Sequence, residues 1–284
     1  MAELILGKTV AASLNEKTKQ KVDELKAKGI EITLAVIIVG DDPASRVYVN
    51  NKKKACENLG IKSAEYALDE NVTQSELLSL VEKLNNDDSV TGILCQLPIP
   101  KHLDDKEIIN AISPEKDVDC FHPVNVGKLV IGEGKLLPCT PAGIVEMLDY
   151  YNIPIEGKNC VVIGRSNIVG KPMSSLLLNR NGTVTTCHSK TENLAAVTSE
   201  ADILVCAVGK PKFVTADMVK EGAVVIDVGI HRMENGKLCG DVLFDEVEPK
   251  CSFITPVPGG VGPMTIAGLM KNTVTAAMIQ NSVL

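Results

Sequence analysis

The sequence predicts an α/β protein with two domains, each built on its own parallel sheet. Short apolar, β-branched runs such as TLAVIIV (33–39) and CVVI (160–163) alternate with segments of helical periodicity along the whole chain. That is the pattern of strands buried on both faces and joined by crossover helices. A chain of 284 residues is long enough for two cores. Aromatic residues make up 3% of it and Trp is absent, so those cores must rest on Val, Ile, Leu and Ala.

In the first half, residues 7–28 carry Val10, Leu14, Val22 and Leu25 near helical spacing among lysines, which predicts an amphipathic helix closed by Gly29. Residues 33–39 form the first buried strand, and Gly40, Asp41, Asp42 and Pro43 the turn after it. Residues 44–59 fit a helix ended by Gly60, 61–68 a more exposed strand, and 73–85 a second amphipathic helix. Residues 90–97 read as a third apolar strand ended by the Pro98-Ile99-Pro100 turn. A short helix over 104–112 leads into 113–122.

The second half opens with a bridging helix over 140–151, with Pro141 in its first turn, before the strand at 160–163. Further strands are predicted near 183–187, 203–208 and 223–228, then a short one at 252–254, a glycine-rich loop at 255–265 and a closing helix at 266–280. The predicted domains are therefore 1–139 and 140–266, with the last helix, 267–284, returning to pack on the first. A ligand cleft is expected between the C-terminal ends of the two sets of strands.

Residues 164–172 are the most informative stretch of the second half. Gly164 follows the strand directly, Pro172 falls at an early helical position, and 173–178 are good helix formers. A strand, a glycine turn and a helix N-terminus together predict a phosphate site, because N–H groups and the positive end of the helix dipole converge there. The G-x-G-x-x-G pattern is not met: Ser166 stands where the second glycine belongs, and Gly170 comes one place late. A plain strand-to-helix connection is the competing reading. The end of the next strand favours a nucleotide, since His188, Ser189 and Lys190 stand where an NAD enzyme places Asp or Glu. With Arg165 inside the turn, a guanidinium and a hydroxyl suit a 2′-phosphate, which points to NADP, unless Arg165 is a solvated surface residue.

A net charge of −7 argues against a nucleic-acid partner. Nine cysteines without C-x-x-C spacing or clustered histidines read as reduced, buried thiols, so no disulfide framework and no metal site is expected. The N-terminal MAELILGKTV is too short and too polar for a secretory signal, and no apolar run approaches a membrane span. A soluble, cytoplasmic protein with no membrane partner is expected.

Candidate chemistry lies at strand ends and helix starts. Tyr48 and Lys52 are one helical turn apart on one face, where Lys52 could pass protons or orient water. Lys53 and Lys54 follow it, so a solvated lysine run is the alternative. Gln96 closes an apolar strand, where an amide can both donate and accept, or is simply a satisfied strand-end amide. Asp117 and Asp119 flank Val118 and point to opposite sides, so at most one faces a ligand and the other caps a turn or pairs with a cation. His122 is read as structural rather than as a general base, and His102 as a surface residue. The loop 258–263 has three glycines and two prolines, which brings backbone close to a flat ligand, and Thr265 is expected to cap the last helix.

At these residues a resemblance becomes specific. The segments Tyr48-x-x-x-Lys52, QLPIP (96–100), PEKDVD (114–119), PCTPAG (138–143), GRSNIVGKP (164–172) and PVPGGVGPMT (256–265) resemble the bifunctional methylenetetrahydrofolate dehydrogenase/methenyltetrahydrofolate cyclohydrolase family, in order and over essentially the whole chain. The resemblance implies a Rossmann-like NADP-binding domain beside a catalytic domain. It also implies oxidation of 5,10-methylenetetrahydrofolate and hydrolysis of the methenyl product to 10-formyltetrahydrofolate, as part of one-carbon metabolism and purine biosynthesis. Lys52 would be the acid/base residue, positioned with the substrate by Tyr48 and Gln96. Asp119 would hydrogen-bond the pteridine ring, and Gly262 and Thr265 would line the folate side. Gly164, Arg165, Ser166, Ser189 and Ile230 would hold NADP, and the chain would form homodimers through its dinucleotide domain. One departure is Cys120, where glycine is common in the family; its side chain could shift the Asp119 backbone or tuck into the core. A dehydrogenase without the hydrolase step and a non-catalytic NADP-binding module remain the other readings.

Overall fold

All seven residues of the Thr33–Val39 strand are buried, which only a central position with cover on both faces provides. The strand pairs in parallel with Lys62–Leu68 on one side and Gly92–Cys95 on the other. The computed structural model describes residues 2–283, the side chain of Ala44 excepted. The chain divides into two units, one formed by Ser13–Cys139 with Ile266–Leu284 and the other by Met1–Ala12 with Thr140–Thr265.

In the first of these units the helices are set by local chemistry. The Pro43–Leu59 helix starts with Pro43 and an Asp42 side chain that accepts from Ser45 N, and ends at Gly60 in the left-handed region. Gln74–Asn85 begins with a complete capping box between Thr73 and Glu76. The core joins Val22, Leu25, Leu34, Val36 and Leu94 to Leu269, Met270, Val274 and Ala277 of the last helix. The expected strand over 90–97 is shorter: it runs over Gly92–Cys95, and Gln96 begins the following loop. A helix over Pro123–Val130, which the sequence reading missed, is capped by His122 Nδ1 accepting from Val124 N at 3.1 Å. The signal was the His122-Pro123 pair, since proline favours the first helical position.

The second unit carries a six-stranded parallel sheet in the order 3–4, 251–254, 223–227, 203–206, 159–163, 183–187. The expected domain of 1–139 divides differently at its start: Glu3–Leu4 pairs with Phe253–Ile254, and Ile5 is fully buried. Two residues of strand show no periodicity, so only the long-range pairing reveals them. From Asn159–Ile163 the chain moves to the sheet edge at Thr183–Cys187 and then to the opposite side at Ile203–Cys206. Such a reversal leaves a crevice beyond the strand C-termini. A two-stranded antiparallel pair, His231–Arg232 with Leu238–Cys239, was also not foreseen.

Candidate functional site

Lys52 is distinguished from the lysines that follow it. It is 8% exposed, whereas Lys53 and Lys54 are exposed, as is Tyr48 one turn earlier at 47%. Lys52 Nζ donates to Gln96 Oε1 at 2.8 Å. Gln96 is held on both sides: its backbone N–H donates to Ile37 O at 2.8 Å, and Nε2 donates to Leu97 O at 2.6 Å. With Nε2 committed, Oε1 is left to face the ammonium.

The 116–119 segment lies alongside the same strand, since Ile93 N donates to Lys116 O at 2.7 Å and Ile93 bridges Asp117 in parallel. Asp117 is buried and turned to structure, accepting from His122 N at 2.8 Å and Asn125 Nδ2 at 2.9 Å. Asp119 points elsewhere and is half-buried, with Cys139 Sγ 3.9 Å from its Oδ1. Loss of water pushes the Asp119 carboxyl up to about 6, with the Asp117 charge adding to the rise and Lys52 opposing it. Burial likewise pushes the Cys95 thiol up to about 12, and it too feels Asp119 and Lys52. Lys52, Gln96 and Asp119 thus share one water-poor site with Cys95 and Cys139. Neither cysteine was singled out from the sequence, because thiols scattered along a chain carry no spacing signal. His122 and His102 do not join them; His102 Nε2 pairs with Val72 O at 3.0 Å on the surface.

In the other unit, Gly164, Arg165, Ser166, His188 and Ser189 line one pocket of about 280 Å³ at the strand C-termini, together with Ala207, Val208, Lys210 and Phe213. Its floor requires glycine: a Cβ on Gly170 would lie 2.2 Å from Gly164 O, and one on Gly164 would lie 2.3 Å from Ala207 O. This close packing of turn against helix gives a shallow cradle edged by cations and hydroxyls, which fits a phosphorylated nucleotide. One expectation changes here. The N–H groups of Val169 and Gly170 are taken by Ser166 Oγ at 3.2 Å each, so the helix start is not fully open to a phosphate. Lys210 and Phe213, with the ammonium 5.7 Å from the ring centroid, complete the pocket and had no local motif to reveal them.

Ile230 and Gly262 come together: a Cβ on Gly262 would lie 3.2 Å from Ile230 Cδ1. Thr265 does not cap the last helix, because that helix starts at Gly262 and places Thr265 inside its first turn. Its hydroxyl instead pairs with Thr140 Oγ1 at 2.8 Å. Among the described residues, no group of three or more His, Cys, Asp or Glu side chains could hold a metal ion, and no helix is long and apolar enough to cross a membrane.

A parallel sheet with a nucleotide cradle, in a chain that also carries a buried lysine–amide–carboxylate site, defines a dinucleotide-dependent α/β enzyme. The chain belongs to the tetrahydrofolate dehydrogenase/cyclohydrolase family. The catalytic-domain model of that family matches residues 5–119, and its NAD(P)-binding-domain model matches 138–281. The Bifunctional protein FolD of Acetivibrio thermocellus is 61% identical over 98% of both chains, and that of Agathobacter rectalis 63% identical over 97% of this chain and 99% of the relative. The crystal structure of the bifunctional FolD methylenetetrahydrofolate dehydrogenase/cyclohydrolase from Campylobacter jejuni superposes with a TM-score of 0.96 at 54% identity, covering 99% of this chain and all of that one. The Trypanosoma brucei dehydrogenase-cyclohydrolase, crystallised with NADP and an inhibitor, superposes at 0.93 with 39% identity, covering 99% and 98%.

Proposed function

We propose that this chain oxidises 5,10-methylenetetrahydrofolate with NADP and hydrolyses the 5,10-methenyl product to 10-formyltetrahydrofolate. The observation that carries this reading is the Lys52–Gln96 hydrogen bond beside the desolvated Asp119 carboxyl. When bound, NADP supplies the hydride acceptor, so the first step asks the protein only to align two flat rings and exclude water. The second step adds water across an iminium carbon and needs a proton carrier beside it. Lys52 fills that role, with Gln96 Oε1 fixing the ammonium and the Tyr48 phenol, exposed on the same helix face, ordering the substrate. Asp119 accepts the N–H edge of the pteridine, a pairing suited to an acceptor-only carboxylate. Gly262 and Thr265 line the folate.

The unit of Ser13–Cys139 and Ile266–Leu284 is thus the folate-binding catalytic domain, and the sheet unit the NADP domain. Arg165 and Ser189 receive the 2′-phosphate, Gly164 and Ser166 the backbone of the dinucleotide, and Ile230 its nicotinamide side. Homodimers would form through the NADP domain, whose edge strand Thr183–Cys187 and adjoining Leu178, 61% exposed, lie open. The enzyme would work in the cytoplasm, in one-carbon supply for purine synthesis. The test is a spectrophotometric assay with 5,10-methylenetetrahydrofolate and either NADP or NAD, following reduced nucleotide and methenyl product separately. NADP-linked turnover with little methenyl accumulation is expected. Accumulating methenyl product would leave only the dehydrogenase, and absence of turnover despite NADP binding would leave a non-catalytic module.

A further inference from the structure

Behind the nucleotide pocket lie two carboxylates that neither step uses. Asp241 is fully buried, 0% exposed, yet among the described residues no lysine or arginine side chain pairs with it. Its Oδ2 accepts from the backbone N–H groups of Val208 and Gly209 at 2.6 and 2.9 Å. Its Oδ1 accepts from Lys210 N at 3.0 Å and from His231 Nε2 at 2.7 Å. Three successive N–H groups turned onto one anion form a nest, and an anion so held fixes the loop that supplies them. Asp227, 3% exposed, sets Asp241 in turn, accepting from Asp241 N, Val242 N and Gly229 N at 2.9 to 3.0 Å. The approach is too close for side chains: a Cβ on Gly240 would lie 1.9 Å from Asp227 Oδ2, and one on Gly229 2.4 Å from Asp241 Oδ1.

Of the two segments that Asp241 gathers, one lines the nucleotide pocket and the other adjoins Ile230, proposed above to receive the nicotinamide side. The 207–210 loop forms one wall of the pocket and presents Lys210. His231 follows Ile230, which lies against Gly262. A charge buried this deeply is costly unless fully hydrogen-bonded, so its four donors are held to one arrangement. We propose that Asp241 is a positioning residue for NADP: its buried carboxylate locks the 208–210 nest and the 230–231 segment in the geometry that receives the nucleotide. Resting on the reading above, this extends it to a residue that touches neither ligand.

The test uses the full chain, with NADPH fluorescence titration and steady-state kinetics in parallel. In Asp241→Asn the amide replaces an acceptor with a donor that faces N–H groups. The dissociation constant for NADPH and the KM for NADP should both rise about tenfold, with kcat at saturating NADP falling less than threefold. A merely structural role would lower the fraction of active enzyme and hence kcat, leaving KM and the NADPH affinity unchanged, and that result overturns the proposal. Gly209→Ala reaches the same nest without unpairing a buried charge. Gly209 has φ +72°, and a Cβ there meets nothing within 4 Å, so only the backbone preference changes. It should weaken NADPH several-fold, and unchanged NADPH affinity in that variant overturns the proposal even where Asp241→Asn fails to fold. Wild-type protein that binds NADPH but turns over no methylenetetrahydrofolate would sink the activity reading alone, the binding comparison still deciding the role of Asp241.

Discussion

Replacing Asp119 with asparagine should separate stability from activity in opposite directions. The Asp119 carboxyl is displaced from 3.8 to about 6, chiefly by loss of water. A displacement of that size is worth about 3 kcal/mol of preference for the neutral form. Partial exposure of the carboxyl to solvent reduces what an uncharged isostere recovers, to about 1–2 kcal/mol. The sign follows from linkage. A carboxyl whose folded pKa lies above its unfolded one costs stability as pH rises from about 4 to about 6, and the cost persists above that. Asp119→Asn should therefore exceed wild type by about 1–2 kcal/mol in urea unfolding at pH 8, with the advantage fading through pH 6 and absent near pH 4. Both folate activities should fall at least tenfold, because the amide presents a donor as well as an acceptor to the pteridine edge. A variant less stable than wild type at pH 8, or an advantage that does not vary with pH, would refute the assignment of a desolvated, strained carboxyl to this position.

Three further outcomes are expected. Lys52→Met should lower methenyl hydrolysis by about 10²–10⁴-fold, the usual contribution of a positioned acid/base group, while NADP affinity stays within twofold, as titration with each ligand would report. Arg165→Ala should raise the KM for NADP about tenfold, the scale of one charge-assisted hydrogen bond at an exposed site, and leave NAD nearly unchanged; equal losses would show that Arg165 does not read the 2′-phosphate. Cys120→Gly sets two effects against each other. Cys120 has φ +62°, which costs a side chain about 1–2 kcal/mol relative to glycine, but it is fully buried with Sγ donating to Leu136 O at 3.2 Å. The unfolding free energy from urea titration should change by less than about 1 kcal/mol in either direction, and a larger loss would mean that the thiol packing dominates.

What was legible in the chain was whatever local pattern encodes. Alternating apolar runs and helical stretches specify the two α/β units, since strands buried on both faces must be continuously apolar. Gly164, Arg165 and the absent carboxylate at 188–190 could be read because a turn, a helix start and a strand end sit at known separations. The Lys52 and Tyr48 pair could be read from helix periodicity. Other features were settled only by contacts between residues far apart in sequence. Lys52 stands out from Lys53 and Lys54 because it alone reaches Gln96, 44 residues on, in a buried setting. Asp117 and Asp119 take separate roles because Ile93 pairs with the 116–117 segment and turns one carboxylate onto His122 and Asn125 and the other toward Lys52. Glu3–Leu4 joins the strand at 251–254 across the length of the chain, and Asp241 collects donors from the 208–210 segment more than thirty residues before it. Periodicity reports which face of an element is apolar; which charged group loses its water, and beside what partner, is decided only when distant segments close over it.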